Sequence, residues 1–180
     1  MTLGQTFSNA WAGWSAIFSG KSDAVRHFDT SPAGINMAST VYLAIAFGLA
    51  LLQMTLAGFL GPGPAIALVG SFLAPLASLL AITGAFRAAR LTTVETVALV
   101  VPGLFLLSAF LLLSSLFALI GLNLGGAVLG LLAVFLYRLA RVAGMMTMGR
   151  AVAYAVLILL VLVGVTQAVY MASSQFFPSS

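Results

Sequence analysis

One stretch of this chain gathers an acid, a base and an imidazole: Lys21-Ser22-Asp23-Ala24-Val25-Arg26-His27-Phe28-Asp29. If that stretch is helical, Asp23 and His27 stand one turn apart and could share a proton or a metal ion. Two ligands do not make a metal site, so a solvated segment at headgroup level, with local ion pairs, is the simpler expectation. Glu95 is the remaining acid. A proton-coupled transporter carries an ionisable group inside the membrane. Glu95 instead pairs with Thr92 as a capping box at a helix start. Gln53 and Gln167 are the most costly polar side chains to leave unpaired in lipid. They are expected to hydrogen-bond another helix, or else to line a path for a neutral solute. No Gly-rich phosphate loop lies between a strand and a helix, no serine comes with a credible base, and His27 is the single histidine. The absence of cysteine excludes a disulfide framework, a thiolate metal site and a cysteine nucleophile. The residues therefore predict no catalytic centre, no metal and no cofactor.

The elements that carry these residues follow from composition. The chain is 62% hydrophobic and 6% charged. Soluble domains run about 45–50% apolar and roughly 25% charged. With so few ionisable groups, the bilayer must be the solvent for most of the surface. The net charge of +4 comes from seven cations spread over short segments, which does not suggest nucleic acid as a partner.

The predicted fold class is all-α: a polytopic transmembrane bundle of about five spans behind an N-terminal amphipathic helix. A span needs ~20 apolar residues. The spans are expected at about 37–60, 65–86, 96–119, 124–138 and 151–172, as one membrane domain with a short tail over 173–180. Ser31-Pro32 reads as a helix start. Gly61-Pro62-Gly63-Pro64 breaks the first span from the second, with Pro64 opening the next helix, and Pro75 should kink it. From Thr96 to Tyr137 there is no charge; as one helix that stretch would be roughly 60 Å long, so two spans joined at Gly121, Asn123, Gly125 and Gly126 are expected.

Residues 1–36 form a cytoplasmic, interfacial segment. Across 2–20, Leu3, Phe7, Trp11, Trp14 and Phe18 share one helical face, opposite Gln5, Ser8, Asn9, Ala12 and Ser15. Thr2 with Gln5 fits a capping box. Rings on one side and small polar groups on the other suit the headgroup boundary, so Phe7, Trp11, Trp14 and Phe18 are expected as interfacial anchors; the alternative is that this helix packs on the bundle. Gly121 with Gly125, and Gly126 with Gly130, form small-xxx-small pairs that would let the fourth span approach a neighbour or a second copy, unless they serve the turn alone. With the N-terminus in the cytoplasm, all seven cations fall on the cytoplasmic face and the C-terminus lies outside.

This layout resembles the YIP (Ypt-interacting protein) family, in its small bacterial form. The resemblance rests on span number, short outer turns, and the placement of Lys21, Arg26, Arg87, Arg90, Arg138, Arg141 and Arg150. It implies a non-enzymatic protein of the bacterial inner membrane that acts through contacts with lipid, a membrane-protein partner or its own copies. The long polar N-terminal tail and the aspartate-leucine-tyrosine-glycine motif of eukaryotic members are missing, so GTPase binding is not implied. A small transporter for a neutral solute, or an accessory subunit of a larger complex, are the alternative readings.

Overall fold

A computed structural model of the chain describes residues 3–21, 23–56, 58, 61–122 and 124–176. Thr2, Ser22, Asn123, the end of the first predicted span at 59–60 and the tail beyond Phe176 lie outside these. Among the described residues there are six α-helices and no strand. They are α1 (Leu3–Phe18), α2 (Pro32–Leu56), α3 (Pro62–Ala88), α4 (Val97–Leu119), α5 (Gly125–Val142) and α6 (Met148–Phe176), with a 3-10 turn at Ala24–His27 between α1 and α2. The last five are each long and apolar enough to cross a bilayer. The chain is an integral membrane protein.

Local chemistry sets the ends of these helices. The Gly34 N–H donates to the Ser31 hydroxyl at 3.3 Å, and the Ile35 N–H donates to the Ser31 carbonyl at 3.0 Å. Ser31 therefore caps α2 and Pro32 fills the first helical position, where a missing donor costs nothing. The α3 helix opens at Pro62, behind Gly61, and not at Pro64 as expected. Both prolines fit, because the first turn has no intrahelical acceptor to lose. The α1 and α4 helices close with Gly20 and Gly121 in the left-handed region, at φ 72° and 74°. There the Lys21 N–H reaches the Ala16 carbonyl and the Leu122 N–H reaches the Phe117 carbonyl. The α5 helix was expected to stop at its first arginine, but runs on to Val142. Arginine is a good helix former, and Arg138 and Arg141 point out of the bundle.

The α4 helix is the most enclosed. It buries Leu99, Val100, Val101, Leu104 and Leu107 against its neighbours. The α3 helix packs along α6, α2 along α4, and α5 along α6. The α2 helix buries one stripe at four-residue spacing: Gly34, Ala38, Tyr42, Ala46 and Ala50. Small side chains along such a ridge bring two backbones close, and lipid-embedded helices depend on that packing. Two glycines do the same elsewhere. A Cβ on Gly103 would stand 2.8 Å from Leu79 of α3, and one on Gly70 would stand 2.5 Å from Val169 of α6.

The interior polar groups find partners across helices. The Tyr42 hydroxyl donates to the Phe72 carbonyl at 2.6 Å, joining α2 to α3. The Thr83 and Tyr154 hydroxyls share a hydrogen bond of 2.8 Å, joining α3 to α6. All three side chains are fully buried. Ser78 and Ser108 instead donate back to carbonyls of their own helices, Ala74 and Leu104.

Candidate functional site: the amphipathic helix and the charged end of the bundle

The α1 helix folds back onto the 3-10 turn and rests on α4 and α5. Its buried stripe is Ala10, Gly13 and Ile17, packed with Ala24 and Phe28. The ring of Phe28 lies where a Cβ on Gly13 would be. This stripe is not the aromatic face. Ala10, Gly13 and Ile17 each precede an aromatic position by one residue, so the two faces are offset by roughly 100° around the helix.

The aromatic side chains therefore divide. Trp14 and Phe18 pack on the Phe135 ring of α5, with centroids 5.5 and 4.4 Å away. Phe7 lies 6.5 Å from Phe105 of α4, edge to face. Phe7 remains 51% exposed and Trp11 81% exposed. Trp14 and Phe18 dock the helix on the bundle, while Trp11 and Phe7 project outward.

The depth of α1 follows from its contacts. Phe105 lies eight residues into α4, and Phe135 lies seven residues before the end of α5. At 1.5 Å per residue, both are roughly 10–12 Å along the bundle from the same end. Phe7 and Phe18, near opposite ends of α1, thus meet the bundle at one level. The helix lies across the bundle and not along it.

That end of the bundle holds every Lys and Arg in the chain. Two of its loops are tied together: the Thr92 hydroxyl donates to the Gly144 carbonyl at 3.0 Å, and Arg150 donates to the Leu91 carbonyl at 3.3 Å. Arg87 donates to the Thr93 and Val94 carbonyls, and Arg141 to the Met146 carbonyl. The expected capping box of Thr92 with Glu95 does not form. The α4 helix starts at Val97, after both residues, and Thr92 spends its hydroxyl on the neighbouring loop. Glu95 is exposed. Lys21, Arg26, Arg90 and Arg138 are also exposed at this end. The turns at the other end, around Gly58–Gly61 and Gly121–Leu124, carry no charge.

The described residues from Asp23 to Asp29 are not α-helical, so Asp23 and His27 are not brought onto one face of an α-helix. Asp23 stands before the 3-10 turn and His27 ends it, so the one-turn α-helical spacing of the pair is not formed. Among the described residues, no group of three His, Asp or Glu could hold one metal ion. Asp29 accepts from the Ser31 N–H at 2.9 Å. The Ser31 hydroxyl and N–H hold the Asp29 carboxyl below the usual carboxylate range.

The other sequence candidates lie elsewhere. Gln53 is half-buried and Gln167 exposed, and among the described residues neither side chain hydrogen-bonds across helices. Tyr42, Thr83 and Tyr154 hold those cross-helix bonds instead. Gly121 serves the turn, with its positive φ. Gly125, Gly126 and Gly130 are exposed, and a Cβ on Gly126 or Gly130 would meet nothing of this chain. These two glycines do not pack one helix of this chain against another.

No family model matches the chain, and no curated protein or solved structure matches it.

Proposed function

We propose that this is a non-catalytic protein of the bacterial inner membrane that organises lipid, or a partner protein held in lipid, through α1. Its layout is similar to that of small bacterial members of the YIP family. In this reading the charged end faces the cytoplasm, α1 lies in the inner headgroup boundary, and the C-terminus is across the membrane. Cations gather on cytoplasmic loops in inner-membrane proteins, and in-plane amphipathic helices insert their rings about 5–10 Å into the headgroup and acyl boundary.

One observation carries the proposal. The bundle holds α1 level by Trp14 and Phe18 while Trp11 and Phe7 project from it. A helix that only completed the bundle would have no need to present a tryptophan outward at this depth. Exposed Lys21, Arg26, Arg90 and Arg138 at the same level would hold anionic headgroups.

The test is a Phe7→Ala, Trp11→Ala double variant in proteoliposomes. Both positions are exposed, so the bundle should fold as before. Lipid order near the headgroups, read by a spin label high on the acyl chain, should fall toward the protein-free value. Order unchanged from the unsubstituted protein would sink the reading. Neutral-solute flux abolished by Gln53→Leu would replace it with a transporter.

A further inference from the structure

Two depressions flank α1 and share its Ala10 and the Phe105 ring of α4. One is a cleft of about 190 Å³, bounded by Asn9, His27 and Asp29 together with Met37 and Val101. The other is an apolar groove of about 240 Å³, bounded by Trp11, Trp14, Ile45, Leu112 and Phe135. Their depths differ. The cleft touches α2 at Ala33–Met37 and α4 at Val101 and Phe105. The groove touches α2 at Ile45 and reaches Leu112 on α4. Met37 to Ile45 is eight residues and Phe105 to Leu112 is seven, so the groove reaches roughly 10–12 Å farther from the charged end. The cleft, with Asn9, His27 and Asp29 among its lining, thus lies toward the headgroups, and the apolar groove lies deeper, toward the acyl chains.

Arg26 and Asp29 line one shallow surface on the outer side of the cleft. An exposed cation and an exposed anion on one surface complement a zwitterion. The Arg26 guanidinium suits a phosphate, which it can bind in bidentate fashion. The Asp29 carboxylate suits a primary ammonium, which donates hydrogen bonds as a quaternary ammonium cannot. A glycerol headgroup would bring the phosphate and leave Asp29 without a cation.

We infer that the cleft and groove together hold one phospholipid of the ethanolamine type, its ammonium at Asp29, its phosphate at Arg26 and one acyl chain beneath Trp11 and Trp14. The inference rests on the proposed function, since it needs α1 at the headgroup boundary. It adds a defined lipid molecule to what would otherwise be general contact with the bilayer.

The chain carries its own probes, because its two tryptophans are Trp11 and Trp14 and both line the groove. The full chain, stripped of lipid in detergent, is titrated with phosphatidylethanolamine brominated on one acyl chain. Bromine quenches indole fluorescence on contact. Saturable quenching is expected, with half-saturation about tenfold below that of brominated phosphatidylglycerol, the size of one charge-assisted hydrogen bond. Asp29→Asn keeps an acceptor for the Ser31 N–H but removes the charge, and should erase that preference. Ala109→Phe fills the groove from an exposed position on α4, and should remove the saturable phase. Quenching proportional to brominated lipid and equal for all headgroups means bulk lipid only; the site is then overturned while α1 keeps its interfacial place. No quenching by any lipid overturns both the site and the proposed function. Tighter binding of phosphatidylglycerol overturns the ethanolamine assignment.

Discussion

Replacing Tyr154 by Phe should weaken the bundle through one identifiable bond. The Tyr154 and Thr83 hydroxyls lie 2.8 Å apart, and neither side chain has any exposed surface. The Phe86 ring packs edge-on to Tyr154 at 5.3 Å, and a phenylalanine keeps that contact. Thr83→Val likewise keeps the shape of its site. A buried hydrogen bond is worth about 1 kcal/mol net. Between membrane helices double-mutant cycles average about 0.6 kcal/mol and reach about 1.7 kcal/mol. The Tyr154→Phe, Thr83→Val cycle should therefore give a coupling of about 0.6–1.7 kcal/mol, read by reversible unfolding in mixed micelles. Gln53→Leu and Gln167→Leu remove side chains without cross-helix partners, so each should leave stability within about 0.5 kcal/mol of the parent. Zero coupling at Thr83–Tyr154, together with a cost above 1 kcal/mol for either glutamine variant, would refute this assignment of the polar contacts.

Trp14→Phe should hold stability within about 0.5 kcal/mol, because it keeps the ring on Phe135 and removes a buried Nε1–H that lacks an acceptor; Trp14→Ala should cost about 2–3 kcal/mol. Chemical unfolding of both variants separates the ring from its donor. Gly103→Ala should cost about 1–3 kcal/mol by forcing a methyl against Leu79, whereas Gly126→Ala and Gly130→Ala should be neutral or gain up to about 1 kcal/mol from helix propensity. A Gly126→Ala variant that unfolds more readily, or that shifts the protein to a smaller assembly on a sizing column, would show those glycines in contact with a second copy or a partner.

The sequence and the structure agree where the physics is one-dimensional. Five spans follow from apolar run lengths, and the placement of the turns follows from Gly and Pro. The α5 helix was harder to bound, because an arginine ends a hydropathy window without ending a helix. Agreement is poorer where three helices must be placed at once. Gln53 and Gln167 attracted attention because a lone amide is costly in lipid, but an amide at a helix surface near a span end can stay uncommitted. The partners that do form, Tyr42 and Tyr154, each carry an apolar ring that hides a donor among core residues. Tyr42 had left a signal in Gly34, Ala38, Ala46 and Ala50, a small-residue stripe with one tyrosine at its centre. The Gly126-xxx-Gly130 pair drew notice over that stripe because the motif favours glycine, although alanine serves the same packing. For α1, the aromatic stripe is the conspicuous one, while Ala10, Gly13 and Ile17 form a quieter stripe that does the burying. Thr92 satisfied a capping pattern in sequence, but its hydroxyl found an acceptor at Gly144, far along the chain.

The five spans place the cations and α1 at one end of the bundle, and the proposed function puts that end in the cytoplasm. The chain has no cysteine, so single cysteines can report on it directly. Ser19→Cys, Thr93→Cys and Gly149→Cys sit at exposed positions of the charged end; Gly61→Cys, Leu122→Cys and Ser174→Cys sit at exposed positions of the other. In right-side-out vesicles, an impermeant maleimide should label the second three and reach the first three only after the membrane is opened. Labelling of Thr93 and Gly149 from opposite sides, or of Gly61 and Leu122 from opposite sides, would contradict the account.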